Sequence, residues 1–130
     1  MLDALADKLN SASVAVTASN LFIGLMPTSP DACVALYEYA GSPPMEVFVN
    51  NAATIEMPSV QVMTRAGRND YPAARALMES VRDVLTGITD ETISGVRFLR
   101  VNEISSINYL NTDDNDRPRF TLSLQVFMER

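Results

Sequence analysis

Between Tyr37 and Gly87 the chain passes through an alternating apolar segment, a proline-punctuated stretch, a second alternating segment and an amphipathic helix with almost no slack between them. Strands followed so closely by a helix must share a core with it, because no other apolar surface lies within reach of the helix stripe. The helix is the best-specified piece. Asn69 or Asp70 stands where an N-cap acceptor is wanted, and Pro72 falls in the first turn, where its missing N–H costs nothing. Ala74, Leu77, Met78, Val81 and Leu85 then repeat at helical spacing until Gly87, which is placed to end the helix. On the opposite side Arg75 precedes Glu79 by four residues and Glu79 precedes Arg82 by three, the charge spacing of a solvated face.

The rest of the chain is read the same way. Leu2, Leu5, Ala6 and Leu9 give a short N-terminal helix with one apolar stripe. The apolar run from Asn20 to Met26, closed by Pro27 and Pro30, reads as a buried strand. Ala32 to Tyr39 is a second strand, with Cys33, Ala35, Tyr37 and Tyr39 opposite Val34, Leu36 and Glu38. Gly41, Ser42, Pro43 and Pro44 break the pattern, and the segment to Pro58 reads as a long loop with an extended piece at Glu46 to Val49. Ser59 to Ala66 resumes as a strand. After Gly87 a turn is expected through Thr89 to Gly95, then a strand from Val96 to Val101 that continues less regularly through Ile104, Ile107 and Tyr109. Phe120, Leu122, Leu124, Val126 and Met128 alternate strictly with Thr121, Ser123, Gln125 and Phe127, behind a polar turn from Asn111 to Pro118. The expected fold is α+β, a single domain over residues 1–130, with a mainly antiparallel sheet of about five strands and two helices packed on it.

What the chain lacks narrows its chemistry. It contains no histidine, Cys33 is its only cysteine and Lys8 its only lysine, so it forms no internal disulfide or multi-cysteine zinc site, and its serines lack the usual activating base. Its glycines are scattered and outline no phosphate-binding loop. Neither an enzyme nor a cofactor-binding protein is expected. A net charge of −6 opposes affinity for nucleic acid phosphates. Asp113, Asp114, Asn115 and Asp116 are the one carboxylate cluster that suggests a cation, but no glycine or closing glutamate follows at EF-hand spacing, so a solvated hairpin tip is the better reading. The N-terminus lacks a signal-peptide layout and no apolar stretch spans a membrane, so a soluble, unprocessed protein without membrane association is expected. Nine of the ten basic residues are arginine, the side chain suited to forked carboxylate contacts at interfaces.

The segments Asn20-Leu-Phe-Ile-Gly-Leu-Met-Pro, Leu36-Tyr-Glu-Tyr-Ala-Gly-Ser-Pro-Pro, Pro58-Ser-Val-Gln-Val-Met-Thr-Arg and Tyr71-Pro-Ala-Ala-Arg-Ala-Leu, in this order and spacing, resemble a family of bacteriophage minor capsid proteins understood as tail terminators of long-tailed phages. Asp113-Asp-Asn-Asp-Arg-Pro-Arg-Phe before an alternating strand is similar to the family's terminal hairpin. The resemblance implies a structural virion protein without catalytic residues, made in the bacterial cytoplasm and located at the tail–neck junction. It implies a homo-hexameric ring that ends tail-tube growth, meets the major tail tube protein and a head-completion or connector protein, and lets DNA pass through its lumen without specific binding. On that reading Arg65, Arg68, Pro43, Pro44 and Glu46 are expected at the contact between subunits. Asp113, Asp114 and Asp116 are expected to face the lumen or a partner ring. Two other readings stay open: a head-completion (stopper) ring of the neck, and a host α+β ligand-binding or regulatory domain, for which an enclosed apolar pocket is the expected sign.

Overall fold

The computed structural model describes residues 1–46 and 54–129. In chain order the elements are α1 (Leu2–Ser11), β1 (Leu21–Ile23), β2 (Cys33–Glu46), β3 (Thr54–Arg65), α2 (Tyr71–Thr86), β4 (Thr89–Ile93), β5 (Val96–Glu103), β6 (Asn108–Thr112) and β7 (Pro118–Glu129). The strands form one sheet in the order β1-β2-β3-β7-β5-β4, with β6 beside β7. Both helices join the inner sheet face in a single core: Leu5, Leu9, Met78, Val81 and Leu85 pack with Leu36, Val62, Phe98, Phe120 and Leu122, all fully or almost fully buried. The register Leu36↔Val62↔Leu122 carries one apolar row across three strands, the tertiary counterpart of their period-two patterns.

The α+β class stands, with two corrections to the sheet: it has seven strands, and it is mixed. β1 runs parallel to β2, pairing Leu21↔Val34 through Ile23↔Leu36. A parallel pair ordinarily needs a long crossover, but this one covers three rungs, roughly 10 Å, which the segment 24–32 can retrace.

The expected loop from Gly41 to Pro58 is also corrected. β2 continues to Glu46 and β3 already begins at Thr54; the extended piece expected at Glu46 to Val49 falls mostly outside the described residues. Beyond Leu36, β2 has no neighbour on its outer side among the described residues, so Pro43 and Pro44 sit where a missing N–H is tolerated. Register shifts between Tyr39 and Ser42 and again between Ser42 and Met45 remove the period that would have marked a strand. Pro58 lies opposite the first of these irregularities, where the ladder is already interrupted.

The expected turn from Thr89 to Gly95 is a strand, β4, joined to β5 by a two-residue hairpin turn. Ser94 (φ 49°) and Gly95 (φ 81°) are both left-handed, as the right-handed twist of the flanking strands requires. The strand expected to run irregularly from Val96 to Tyr109 is two strands, β5 and β6, which share one edge of β7 at different heights. A bulge between Phe98 and Arg100 brings Phe98 and Val101 into the core three residues apart, so simple alternation does not describe this strand.

α2 begins at Asp70, whose carboxylate accepts from the Ala73 N–H at 3.3 Å, and ends at Gly87. α1 is fastened to β4 by the Lys8–Glu91 ion pair at 2.7 Å and by a hydrogen bond from Ser94 to Asp7. Cys33 is completely buried, and burial pushes its thiol up against the opposing pull of Arg65 and Arg117.

Candidate assembly surface

Three connections meet at one corner of the sheet: the segment 24–31 between β1 and β2, the β3–α2 connection at 66–70, and the β6–β7 tip at 113–117. Arginines at the ends of β3 and β7 fasten them. Arg65, only 4% exposed, donates from Nε to the Asp31 carbonyl at 2.9 Å and from Nη2 to the Pro27 and Pro30 carbonyls at 2.6 and 2.7 Å, with the Thr28 carbonyl at 3.4 Å. The loop it holds contains a cis Ser29–Pro30 peptide. Arg117, 5% exposed, donates to the Thr28 carbonyl, to the Asp31 carboxylate at 3.2 Å and to the Asp113 carboxylate at 2.8 Å. Each guanidinium thus binds backbone oxygens that a loop cannot pair within itself.

Asp113 organises the tip. Its carboxylate accepts from the backbone N–H groups of Asn115 (2.9 Å) and Arg117 (3.0 Å) and from the Arg117 guanidinium. Burial opposes the charged form, but these hydrogen bonds and the Arg117 charge outweigh it and hold the carboxyl below the usual aspartate range. A carboxyl depressed in the folded state contributes stability above its unfolded pKa, and that contribution is lost as pH falls through the folded value. We therefore expect Asp113→Ala to lower stability at pH 7 by about 1–2 kcal/mol and to flatten the acid limb of a stability–pH profile below about pH 4. Urea unfolding of both proteins from pH 2.5 to 7 checks this; parallel profiles would contradict the assignment.

The structure regroups the residues expected at the assembly contacts. Arg68, expected between subunits, and Asp116, expected at a lumen or partner ring, form one exposed ion pair at 3.3 Å. They line an open cleft of about 420 Å³ with Thr28, Asp31, Asp114 and Asn115. Asp114 and Asp116 are exposed, whereas Asp113 is turned into the hairpin. Pro43, Pro44 and Glu46 lie at the other end of the β2–β3 hairpin, where every residue from Glu38 to Pro44 is exposed. Ser42 pairs with Met57, eight residues along β3 from Arg65, a separation of about 27 Å. Arg65 and the prolines therefore cannot belong to one small contact.

Arg65 itself differs most from expectation, since its side chain is spent inside the protomer. Arg117 does comparable work and drew no separate notice in the sequence. The only local sign was its position four residues after Asp113 across a turn.

The sequence matches the model of a family described as bacteriophage tail terminator protein over residues 8–130. No curated protein matches it significantly. Among solved structures, the fold is similar to a chain from the virion of a native gene transfer agent particle, with a TM-score of 0.68 at 16% identity, covering all of this chain and 95% of the other. The two helices over one curled mixed sheet are thus a fold found in a virion assembly, and the match over nearly the whole chain places this protein in the bacteriophage tail terminator family, among structural proteins of the virion.

Proposed function

We propose that this protein forms a homo-hexameric ring at the head-proximal end of the phage tail, where it ends tube polymerisation and offers the surface that joins the head connector. The family match over residues 8–130 carries this reading. The composition agrees with it: a net charge of −6 suits a ring through which DNA must slide without being held. The outer stretch of β2 with Pro43, Pro44 and Glu46, exposed from Glu38 to Pro44, supplies one subunit contact, and Arg68 contributes at the opposite corner. Asp114 and Asp116 face the lumen or a partner ring. Arg65 has no place in the contact, because it is almost fully buried and its Nε and Nη2 are engaged by the loop at 27–31. The free protein is made in the bacterial cytoplasm and acts in the virion at the tail–neck junction.

The test is electron microscopy of particles from a phage carrying a stop codon at Gln61. Abnormally long headless tails beside separate DNA-filled heads are expected. Tails of normal length with leaking heads would transfer the protein to the head-completion ring, and intact virions would overturn a role in assembly.

A further inference from the structure

Both helices pack on one face of the sheet, and the residues that alternate with the core point to the other. Thr64 fixes the sides: its hydroxyl donates to the Ala74 carbonyl of α2 at 3.3 Å, so Met63 and Arg65 point away from the helices. The rungs Tyr37↔Gln61↔Ser123 and Tyr39↔Ser59↔Gln125 cross the middle of this helix-free face, and Asn102 of β5 extends the second. The Gln125 amide donates to the Ser42 hydroxyl at 2.9 Å, reaching over the intervening β3. The loop held by Arg65 closes over the Cys33 end, while Gln61, Ser123 and Gln125 remain half-buried and Tyr39 is exposed.

In a chain of net charge −6, this face carries no carboxylate from Cys33 to Tyr39, from Ser59 to Arg65 or from Arg119 to Phe127. Glu38, the one acid within those stretches, alternates to the helix side with Leu36. The charge at the end of the face is positive: Arg65 and Arg119 stand opposite each other on one rung, where like charges repel. Neither meets a carboxylate among the described residues. Arg65 binds carbonyls, and Arg119 donates to the Asn111 amide oxygen while its buried Nε has no acceptor. Lys8, Arg68, Arg75, Arg82, Arg97 and Arg117, by contrast, are each paired with an acid. Apart from Tyr39, the exposed large apolar side chains also lie outside β2, β3 and β7.

We infer that the helix-free face is the wall along which the DNA duplex passes. Charge selects this occupant: the polyanion meets a surface without carboxylates and with an uncompensated arginine at one end, while the acids that give the chain its net charge lie elsewhere. Chemistry selects it too, because hydroxyl and amide groups both donate and accept and so exchange partners with water or phosphate at little cost. Cations this sparse release few counterions on contact, so the duplex is admitted without being held. The core of a protein contact is instead enriched in aromatic residues and methionine and depleted in serine. Asp114 and Asp116, in the tip that leads into β7 beside Arg119, then stand at the rim of the channel. This inference rests on the ring reading above and assigns the surface that DNA meets.

Photo-cross-linking from single thiols tests it, because the native Cys33 is fully buried and leaves introduced cysteines as the reactive ones. Ser123→Cys and Gln61→Cys, neighbours on one rung, are placed in the phage, with Asp83→Cys on the exposed side of α2 as the comparison. Virions are alkylated with an azidophenacyl reagent, induced to eject their DNA and irradiated. The two sheet variants are expected to become attached to DNA, and Asp83→Cys to remain at background. Adducts of the sheet variants with protein alone would overturn the inference, as would long headless tails from both, since either result means that the face is packed against protein. Gln61→Lys supplies a second measurement: one added cation per subunit should slow ejection several-fold at low salt, with recovery at high salt. Ejection at the wild-type rate at both salt concentrations would overturn the assignment of this wall while leaving the ring reading intact. Failure of the ring reading itself appears separately, as intact virions from the Gln61 stop variant.

Discussion

Arg65→Ala is expected to destabilise the protomer by about 3 kcal/mol, the scale for removing hydrogen bonds from a charged donor and leaving buried acceptors unpaired. That corresponds to a fall of roughly 10 °C in Tm for a domain of this size. The cause lies in the carbonyls of Pro27, Pro30 and Asp31, which converge on one guanidinium and have no backbone donor of their own in that segment. Arg65→Lys should recover only a minor part, because an ammonium cannot reproduce a planar fork whose Nε and Nη2 address different oxygens. Arg68→Ala serves as the control. Its side chain is 74% exposed and its partner Asp116 is also at the surface, so its loss should change stability by less than about 0.5 kcal/mol. Thermal and urea unfolding of the three variants decide the matter. A normal Arg65→Ala melting point combined with defective assembly would return Arg65 to the subunit contact.

Gly41→Ala should cost about 2–3 kcal/mol, at the upper end for forcing extra volume into a packed site. A Cβ at this position would stand 2.2 Å from the Met57 carbonyl oxygen and 2.7 Å from the Pro58 Cα. Both are backbone atoms of the neighbouring strand, so no side chain can rotate to make room. The strands must separate where the β2–β3 register is already shifted. Amide exchange should accelerate on β2 beyond Tyr39 and on β3 before Ser59, and the urea midpoint should fall. Wild-type protection in those segments would mean that the two backbones are not in the close approach described. Because this stretch carries Pro43 and Pro44, the same variant should also impair assembly if the proposed contact lies there.

Legibility in the sequence followed the reach of each interaction. α2 was readable from its cap, its stripe and its terminating glycine, because all three act within one or two turns. β7 was readable because it is flanked by strands along its length and its alternation is uninterrupted. The outer half of β2 was not, since an edge strand tolerates prolines and its bulges erase the period. β4 was missed for a related reason: its residues are mostly exposed, so no apolar rhythm marks it.

The candidate site divides along the same line. Arg68, Asp114 and Asp116 could be placed at the surface from their polarity and turn context, and they are exposed. Arg65 could not be placed, since an arginine ending a strand looks the same whether its head meets solvent or a loop that begins 38 residues earlier. The sequence by itself determined the fold class, the amphipathic faces, the capped helix and the absence of histidine- or multi-cysteine-based chemistry, because these depend on residue identity and near-neighbour spacing. Only the tertiary structure decided the parallel β1, the second half of β2 and the arginine-fastened corner. These arise from contacts between distant segments, whose partners no local pattern names.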